Sequence, residues 1–129
     1  MFEQLDFLYT PSSDVAADTA WFVDALGGRL IFAIDDGGTK VAMIELSKAA
    51  PRLLLTDHLE GDKPIHIYRV ADLDAAAQEL EARGLQRERS LEIPPGPCLT
   101  FRGPGGHRIA LYEATRPGVV AHFEGRRDF

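Results

Sequence analysis

The chain runs twice through the same order of elements, and that repetition limits its fold more than any other feature. Leu5–Thr10 (LDFLYT) is a short apolar run of the kind that forms strands. PSSD follows, with Asp14 or a neighbouring serine placed to cap a helix. From Val15, apolar residues recur at Val15, Phe22 and Leu26, with Trp21 and Ala25 beside them, which is helical spacing, and Gly27-Gly28 ends it. Three strand-like stretches come next, RLIFAID, KVAMIEL and RLLLTD, broken at Asp36-Gly37-Gly38 and at Ala50-Pro51.

After HLEGDK the order restarts. PIHIYRV reads as a strand, and Asp72 caps a helix with Leu73, Ala76, Ala77 and Leu80 on one stripe, ending at Gly84. LQRERSLEI, a Pro-Pro-Gly-Pro break, CLTFR, a Gly-Pro-Gly-Gly turn and HRIALYE complete the second pass. A βαβββ unit written twice, with Asp14 and Asp72 at matching places, predicts an α+β fold of two similar modules. Module one spans about 4–58 and module two about 63–114 within one domain of residues 1–129; the tail 115–129 follows no clear pattern, but Val119, Val120, Phe123 and Phe129 predict that it packs on something.

A chain of 129 residues can bury a real core, and 45% hydrophobic residues mark it as globular. The formal charge of −6 and the lack of a basic cluster argue against nucleic acid as a partner. No apolar run approaches the roughly 20 residues that span a membrane, and MFEQLDFLY lacks the pattern of a signal peptide. The single cysteine, Cys98, cannot form an intrachain disulfide, which predicts a cytoplasmic location.

Three segments, LDFLYTPSSDVAADTAWFVDALG, IYRVADLDAAAQELEARG and FRGPGGHRIALYE, in this order and spacing, resemble the vicinal oxygen chelate superfamily of glyoxalase I, bleomycin-resistance proteins and extradiol dioxygenases. The resemblance covers about Leu5 to Glu113. It implies paired βαβββ modules forming curled mixed sheets around a cavity. In metal-dependent members it also implies a divalent ion held by one inward side chain from the first and last strand of each module. Read position by position, those four places fall here on Phe7, Leu54, Ile65 and Ala110. All are apolar, so the expectation is no family-type metal and no cofactor.

Strand alternation places Ile65, Ile67 and Arg69 on one face and His66, Tyr68 and Val70 on the other. With the Ile65 face inward, as the resemblance implies, His66 points to the helix layer or an edge and is structural rather than a ligand. The same alternation gives a wall of Phe7, Tyr9, Phe32, Ile34, Leu54, Thr56, Ile65, Ile67, Arg69, Cys98, Thr100, Ala110 and Tyr112. Arg69 needs a carboxylate, a ligand anion or water, and Glu45 is its expected internal partner if it faces inward. Cys98 reads as a small buried residue rather than a nucleophile. His58 falls in a turn, His107 beside the glycine turn, and His122 in the tail, with no metal-ligand spacing among them. GPGG (Gly103–Gly106) reads as a hairpin and not as a phosphate loop, because a strand follows it.

The resulting expectation is a metal-free protein, a homodimer to which the tail contributes, that binds an aromatic or amphipathic small molecule and sequesters it. An enzyme of the same superfamily (lyase, isomerase or dioxygenase) working through Arg69, Tyr9, Tyr112, Glu45 or unexpected ligands is the alternative. A scaffold whose pocket is merely core is a third.

Overall fold

A computed structural model describes residues 1–129. The elements are β1 (Gln4–Pro11), α1 (Val15–Asp24), β2 (Arg29–Asp36), β3 (Thr39–Glu45), β4 (Arg52–Thr56), β5 (Ile65–Arg69), α2 (Leu73–Ala82), β6 (Arg87–Ile93), β7 (Gly96–Arg102), β8 (Arg108–Tyr112) and α3 (Val119–Phe123). The βαβββ order therefore occurs twice, as the repeat predicts. No helix is long and apolar enough to cross a membrane.

By contact the chain forms two units: Phe7–Pro64 with Phe123–Phe129, and Ile65–His122 with Met1–Asp6. In the first, the strand order is β2-β3-β4-β1, with β1 parallel to β4 (Phe7↔Arg52 through Pro11↔Thr56) and β3 antiparallel to both its neighbours. In the second, the order β6-β7-β8-β5 repeats that plan, with β5 parallel to β8 (Ile65↔Arg108 through Arg69↔Tyr112).

The two units also share their local devices. The helix after the first strand of each module starts at an aspartate whose side chain accepts a first-turn amide that has no partner within the helix: Ala17 N–H to Asp14 and Ala75 N–H to Asp72, both at 3.0 Å. Just before each cap the backbone is tied to its last strand. Ser12 N–H donates to the Thr56 carbonyl at 2.8 Å, and Val70 N–H donates to that of Tyr112 at 2.9 Å. In the second unit Glu113 also accepts from Leu73 N–H at 2.9 Å, fixing the start of α2 to the end of β8.

Period two in the strands and period 3.6 in the helices give each unit one core. In the second unit Leu73, Ala76, Ala77 and Leu80 of α2 pack on Val70, Leu99, Phe101 and Leu111, with Tyr68 and Ile109 beside them. The alanines let the helix approach the sheet closely. Each of the large side chains contributes on the order of 1.5–3 kcal/mol by leaving water. Tyr68 and Val70 lie on this side, so alternation puts His66 there too and not on the face of Ile65, as expected.

The first core is Val15, Ala33, Ala42, Ile44 and Leu55, with Phe22, Leu30, Leu53 and Phe129. Here the sequence stripe needs correction. α1 ends at Asp24, and its sheet-facing line is Val15, Thr19 and Phe22, while Trp21 and Leu26 are about half exposed. Thr19 is buried although polar, and a strictly apolar stripe misses it.

The Pro-Pro-Gly-Pro break is also shorter than the sequence suggests. Only Pro94 and Pro95 turn, Ile93 pairs with Gly96, and β7 begins there. Gly96 is required by space: a Cβ at this position would lie 1.9 Å from the Glu113 carbonyl oxygen.

The tail finds its packing partner on β2. Gly125 N–H donates to Ile31 O (2.8 Å), Ala33 N–H to Arg126 O (2.9 Å), Asp128 N–H to Ala33 O (2.6 Å) and Asp35 N–H to the Asp128 carboxylate (2.9 Å). Phe129 joins the core and the Phe123 ring lies 6.1 Å from that of Phe32. These bonds occupy main-chain groups along β2, the outermost strand of its unit. Truncation after Glu124 removes all four, so unfolding in urea should show a loss of roughly 2–5 kcal/mol together with concentration-dependent association through the bared edge. An unchanged midpoint would show that the tail is not part of the folded unit.

On β6, Glu88 gathers Arg102 Nε (2.6 Å), Arg108 Nη2 (2.6 Å) and the Thr100 hydroxyl (3.1 Å). Burial opposes its charge, but the hydrogen bonds from Arg102, Arg108 and Thr100 prevail and hold the carboxyl at about 2, from an ordinary 4.5. A depressed folded-state value means that the stabilisation is fully present above the unfolded value and fades as pH falls through the folded one. Stability should therefore drop between about pH 4.5 and pH 2, and Glu88→Gln should be less stable at neutral pH with a flatter acid limb. Parallel acid limbs for the two proteins in chemical denaturation would remove Glu88 from this role.

Candidate functional site

Each unit buries one sheet face under its helix and turns the other away. On the averted face of the first unit, register and alternation place Phe7 and Tyr9 of β1 beside Arg52, Leu54 and Thr56 of β4, with Met43 of β3 opposite Leu54 and Phe32 opposite Met43. In the second unit they place Ile65, Ile67 and Arg69 of β5 beside Arg108, Ala110 and Tyr112 of β8, with Cys98 and Thr100 of β7 opposite Tyr112 and Ala110. The residues predicted for a pocket wall thus fall into these two sets. Phe7, Phe32, Ile65, Ile67, Thr100, Ala110 and Tyr112 are buried, whereas Tyr9, Leu54 and Arg69 are partly open.

Phe7, Leu54, Ile65 and Ala110, the four positions where the resemblance implies metal ligands, lie on these averted faces and offer only carbon. A divalent ion needs several oxygen, nitrogen or thiolate ligands to replace its water. Within either unit no group of three or more His, Cys, Asp or Glu side chains comes together to supply them. The residues present do not fit a family-type metal.

A buried polar centre of the second unit is Asp6, a carboxylate near the start of β1. The Tyr112 phenol donates to its Oδ2, and Gln4 Nε2 donates to its Oδ1 at 2.5 Å. Arg69 Nη1 lies 3.7 Å from Oδ2 and Arg69 Nε lies 3.5 Å from Glu3. Burial, then the hydrogen bond to Asp6, pushes the Tyr112 phenol well above the usual range, so it stays a donor. Arg69 does have carboxylate partners, contrary to the expectation that it would look to Glu45 or a ligand. Its partners come from the N-terminal strand, which alternation within β5 cannot reveal.

Glu45 is spoken for as well. It accepts from Arg52 Nη2 (3.1 Å) and Arg29 Nη2 (3.2 Å), and the bond from Arg29 leads in holding its carboxyl below the usual range. That makes it a poor general base.

In the first unit a second polar group assembles where β4 ends. The Tyr9 hydroxyl is 2.8 Å from His58 Nε2, and the Thr56 hydroxyl is 2.5 Å from His58 Nδ1. Thr56 is fully buried, Tyr9 half-buried and His58 exposed. Burial leads in raising the Tyr9 phenol above its ordinary value, with the Asp57 charge adding to it and the Thr56 bond opposing it. Sequence reading placed Tyr9 and Thr56 on one face but left His58 in a turn. The only available signal was that His58 stands two residues beyond Thr56.

The remaining candidates are structural. Cys98 is a buried thiol pushed up to about 12 by burial and by the Glu92 charge, so it is a poor nucleophile at neutral pH. Gly103–Gly106 closes the β7–β8 hairpin, with Gly103 N–H donating to His107 O at 2.8 Å. His122 is exposed on α3.

Among solved structures the chain is similar to methylmalonyl-CoA epimerase from Mycobacterium tuberculosis, at 21% identity over 93% of each chain with a TM-score of 0.74. It is also similar to methylmalonyl-CoA epimerase from Streptomyces coelicolor in complex with 2-nitronate-propionyl-CoA, at 14% identity over 90% of this chain and 97% of that one with a TM-score of 0.74. A catechol 2,3-dioxygenase matches 88% of this chain at 19% identity with a TM-score of 0.66, the match spanning 40% of that longer chain. At these identities the likeness is one of fold. No curated protein matches. The family model of the Glyoxalase/Bleomycin resistance protein/Dioxygenase superfamily matches residues 4–111, and with its two βαβββ units the chain belongs to that superfamily.

Proposed function

We propose that this chain binds a small aromatic or amphipathic molecule on its helix-averted sheet faces without a family-type divalent ion. One observation carries the reading: the four places at which the superfamily resemblance implies ligands are Phe7, Leu54, Ile65 and Ala110, and their neighbours on the same faces include Tyr9, Phe32 and Ile67. Such faces favour apolar and ring contact. Arg69 joins the reading in a reduced role. Its Nε and Nη1 face Glu3 and Asp6, leaving Nη2 for water or a ligand oxygen. The free thiol of Cys98 supports a reducing cytoplasm. A homodimer remains part of the proposal; because the tail backbone is bonded to β2 in its own chain, its contribution would come from the half-buried Val119 and Val120 side chains.

A second reading is a proton-transfer enzyme. Two of the similar structures are epimerases, and epimerisation requires a proton to be taken from carbon and returned, which side chains can do without a metal. Tyr9 with His58, and Tyr112 with Asp6, supply acid–base groups in the two units.

Elemental analysis and fragment binding test the first reading together. Protein purified without a metal-binding tag or chelator should hold no stoichiometric metal, and aromatic fragments should shift the amide resonances of Tyr9, Leu54 and Arg69. One zinc, iron, nickel or manganese per chain, or fragments that shift none of these, would overturn it. Catalysed solvent-deuterium exchange at a carbon next to a carbonyl would transfer the case to the second reading. Sedimentation at micromolar concentration as a 14.2 kDa monomer would remove the dimer.

A further inference from the structure

We infer that Tyr9, Thr56 and His58 form a relay of hydrogen bonds that receives the oxyanion of a phenol-type ligand. Tyr9 touches the ligand, and His58 and Thr56 position it. The inference rests on the small-molecule reading above and gives it a ligand class.

The inferred direction runs from Thr56 through His58 to Tyr9, and the ring tautomer is what fixes it. Thr56 Oγ1 lies 3.4 Å from the His58 backbone N–H and 2.5 Å from His58 Nδ1. The hydroxyl oxygen accepts from that N–H, and the relay assigns its single proton to Nδ1 rather than to the Tyr9 oxygen, which it also reaches. A neutral imidazole that accepts at Nδ1 carries its proton on Nε2, which then donates to the Tyr9 oxygen at 2.8 Å. The Tyr9 proton is thereby turned away from the ring, toward whatever lies over the sheet face. A chain of donors that ends on a phenol calls for an acceptor, and an anionic oxygen gives the shortest and strongest such bond.

Surroundings choose the rest of the ligand. Tyr9 is half-buried, pairs in register with Leu54 and shares its face with Phe7, so apolar and aromatic surface lies beside the donor. Asp57, the nearest carboxylate in sequence, is held toward β3, where the Lys40 backbone N–H donates to it at 3.1 Å. The raised Tyr9 phenol remains protonated at neutral pH and so remains the donor. His58 is exposed, and Thr56, fully buried, fixes the orientation of its ring. A planar ring bearing one phenolate oxygen matches this arrangement of an apolar face and a single outward donor.

4-Nitrophenol is the probe, because its phenol and phenolate forms differ in visible absorption. The full chain should bind it as the phenolate, with the bound ligand ionising at lower pH than the free one. Tyr9→Phe should weaken phenolate binding by roughly ten- to a hundredfold, the loss of a hydrogen bond to a charged group. His58→Ala, at an exposed residue, should weaken it less and shift the ligand's ionisation back toward its free value. Nitrogen-15 spectra should show the His58 ring in its Nε2–H form in the complex, and Thr56→Val should lose that preference. Equal phenolate affinity in the wild type, Tyr9→Phe and His58→Ala overturns the relay while leaving small-molecule binding intact. No binding to the wild type also overturns it, and other aromatic fragments then decide the broader reading separately. An Nδ1–H ring in the complex overturns the positioning role of His58.

Discussion

Parallel pairing of the first and last strand in each module sets what every other residue can do. Phe7 opposite Arg52 and Ile65 opposite Arg108 fix two registers, and with them the face on which each later side chain emerges. The helix that follows the first strand must lie on one side of the sheet. In the second unit Val70, Leu99, Phe101 and Leu111 go to that side. A one-residue slip of β5 would bring His66 to the other face and drive Arg69 into the core against α2. The cost of burying that guanidinium without partners keeps the register in place.

Charge satisfaction then settles which polar groups are available. Arg69 lies near Glu3 and Asp6, Glu45 binds Arg29 and Arg52, and Glu88 binds Arg102 and Arg108. These groups hold strands and ends together. Asp6 shows the logic most clearly: a buried carboxylate takes the Tyr112 phenol and the Gln4 amide and sits beside a cation, so removing any one of them would leave acceptor capacity unfilled in a dry place.

Much of this was legible in the sequence because it depends on local spacing. The doubled βαβββ order and the Asp72 cap follow from periodicity and capping chemistry; the same chemistry narrows the first cap to Asp14 or a neighbouring serine, and the side to which His66 turns comes from the resemblance together with strand alternation. The failures share a different cause. Asp6 to Tyr112 spans 106 residues of sequence and Tyr9 to His58 spans 49, so neither partnership leaves a local pattern. The tail read as patternless because its order comes from bonding to β2 rather than from its own periodicity. Trp21 and Leu26 misled for the opposite reason: helical spacing shows which residues share a stripe, but not where the helix ends or how wide a stripe the sheet covers.

The averted faces show one further regularity. Two residues beyond Phe7, Leu54, Ile65 and Ala110, on the same face, stand Tyr9, Thr56, Ile67 and Tyr112. Carbon occupies the places where the superfamily resemblance implies metal ligands, and a hydroxyl appears one strand repeat further along, roughly 7 Å away, in three of the four cases. Neutral hydroxyls do not provide the charged or imidazole ligands that usually hold a divalent ion. They do donate and accept single hydrogen bonds, and here each has a defined partner: Tyr9 and Thr56 meet His58, and Tyr112 meets Asp6. Displacing the polar groups by one repeat therefore changes the kind of chemistry the faces can support. Charge on a ligand would be met by oriented O–H donors rather than by a metal. Of the three hydroxyls, Tyr112 is committed to a buried carboxylate and Thr56 is fully buried beside an imidazole, so on the inferred direction of the relay the half-buried Tyr9 phenol is the one whose proton is left for a ligand.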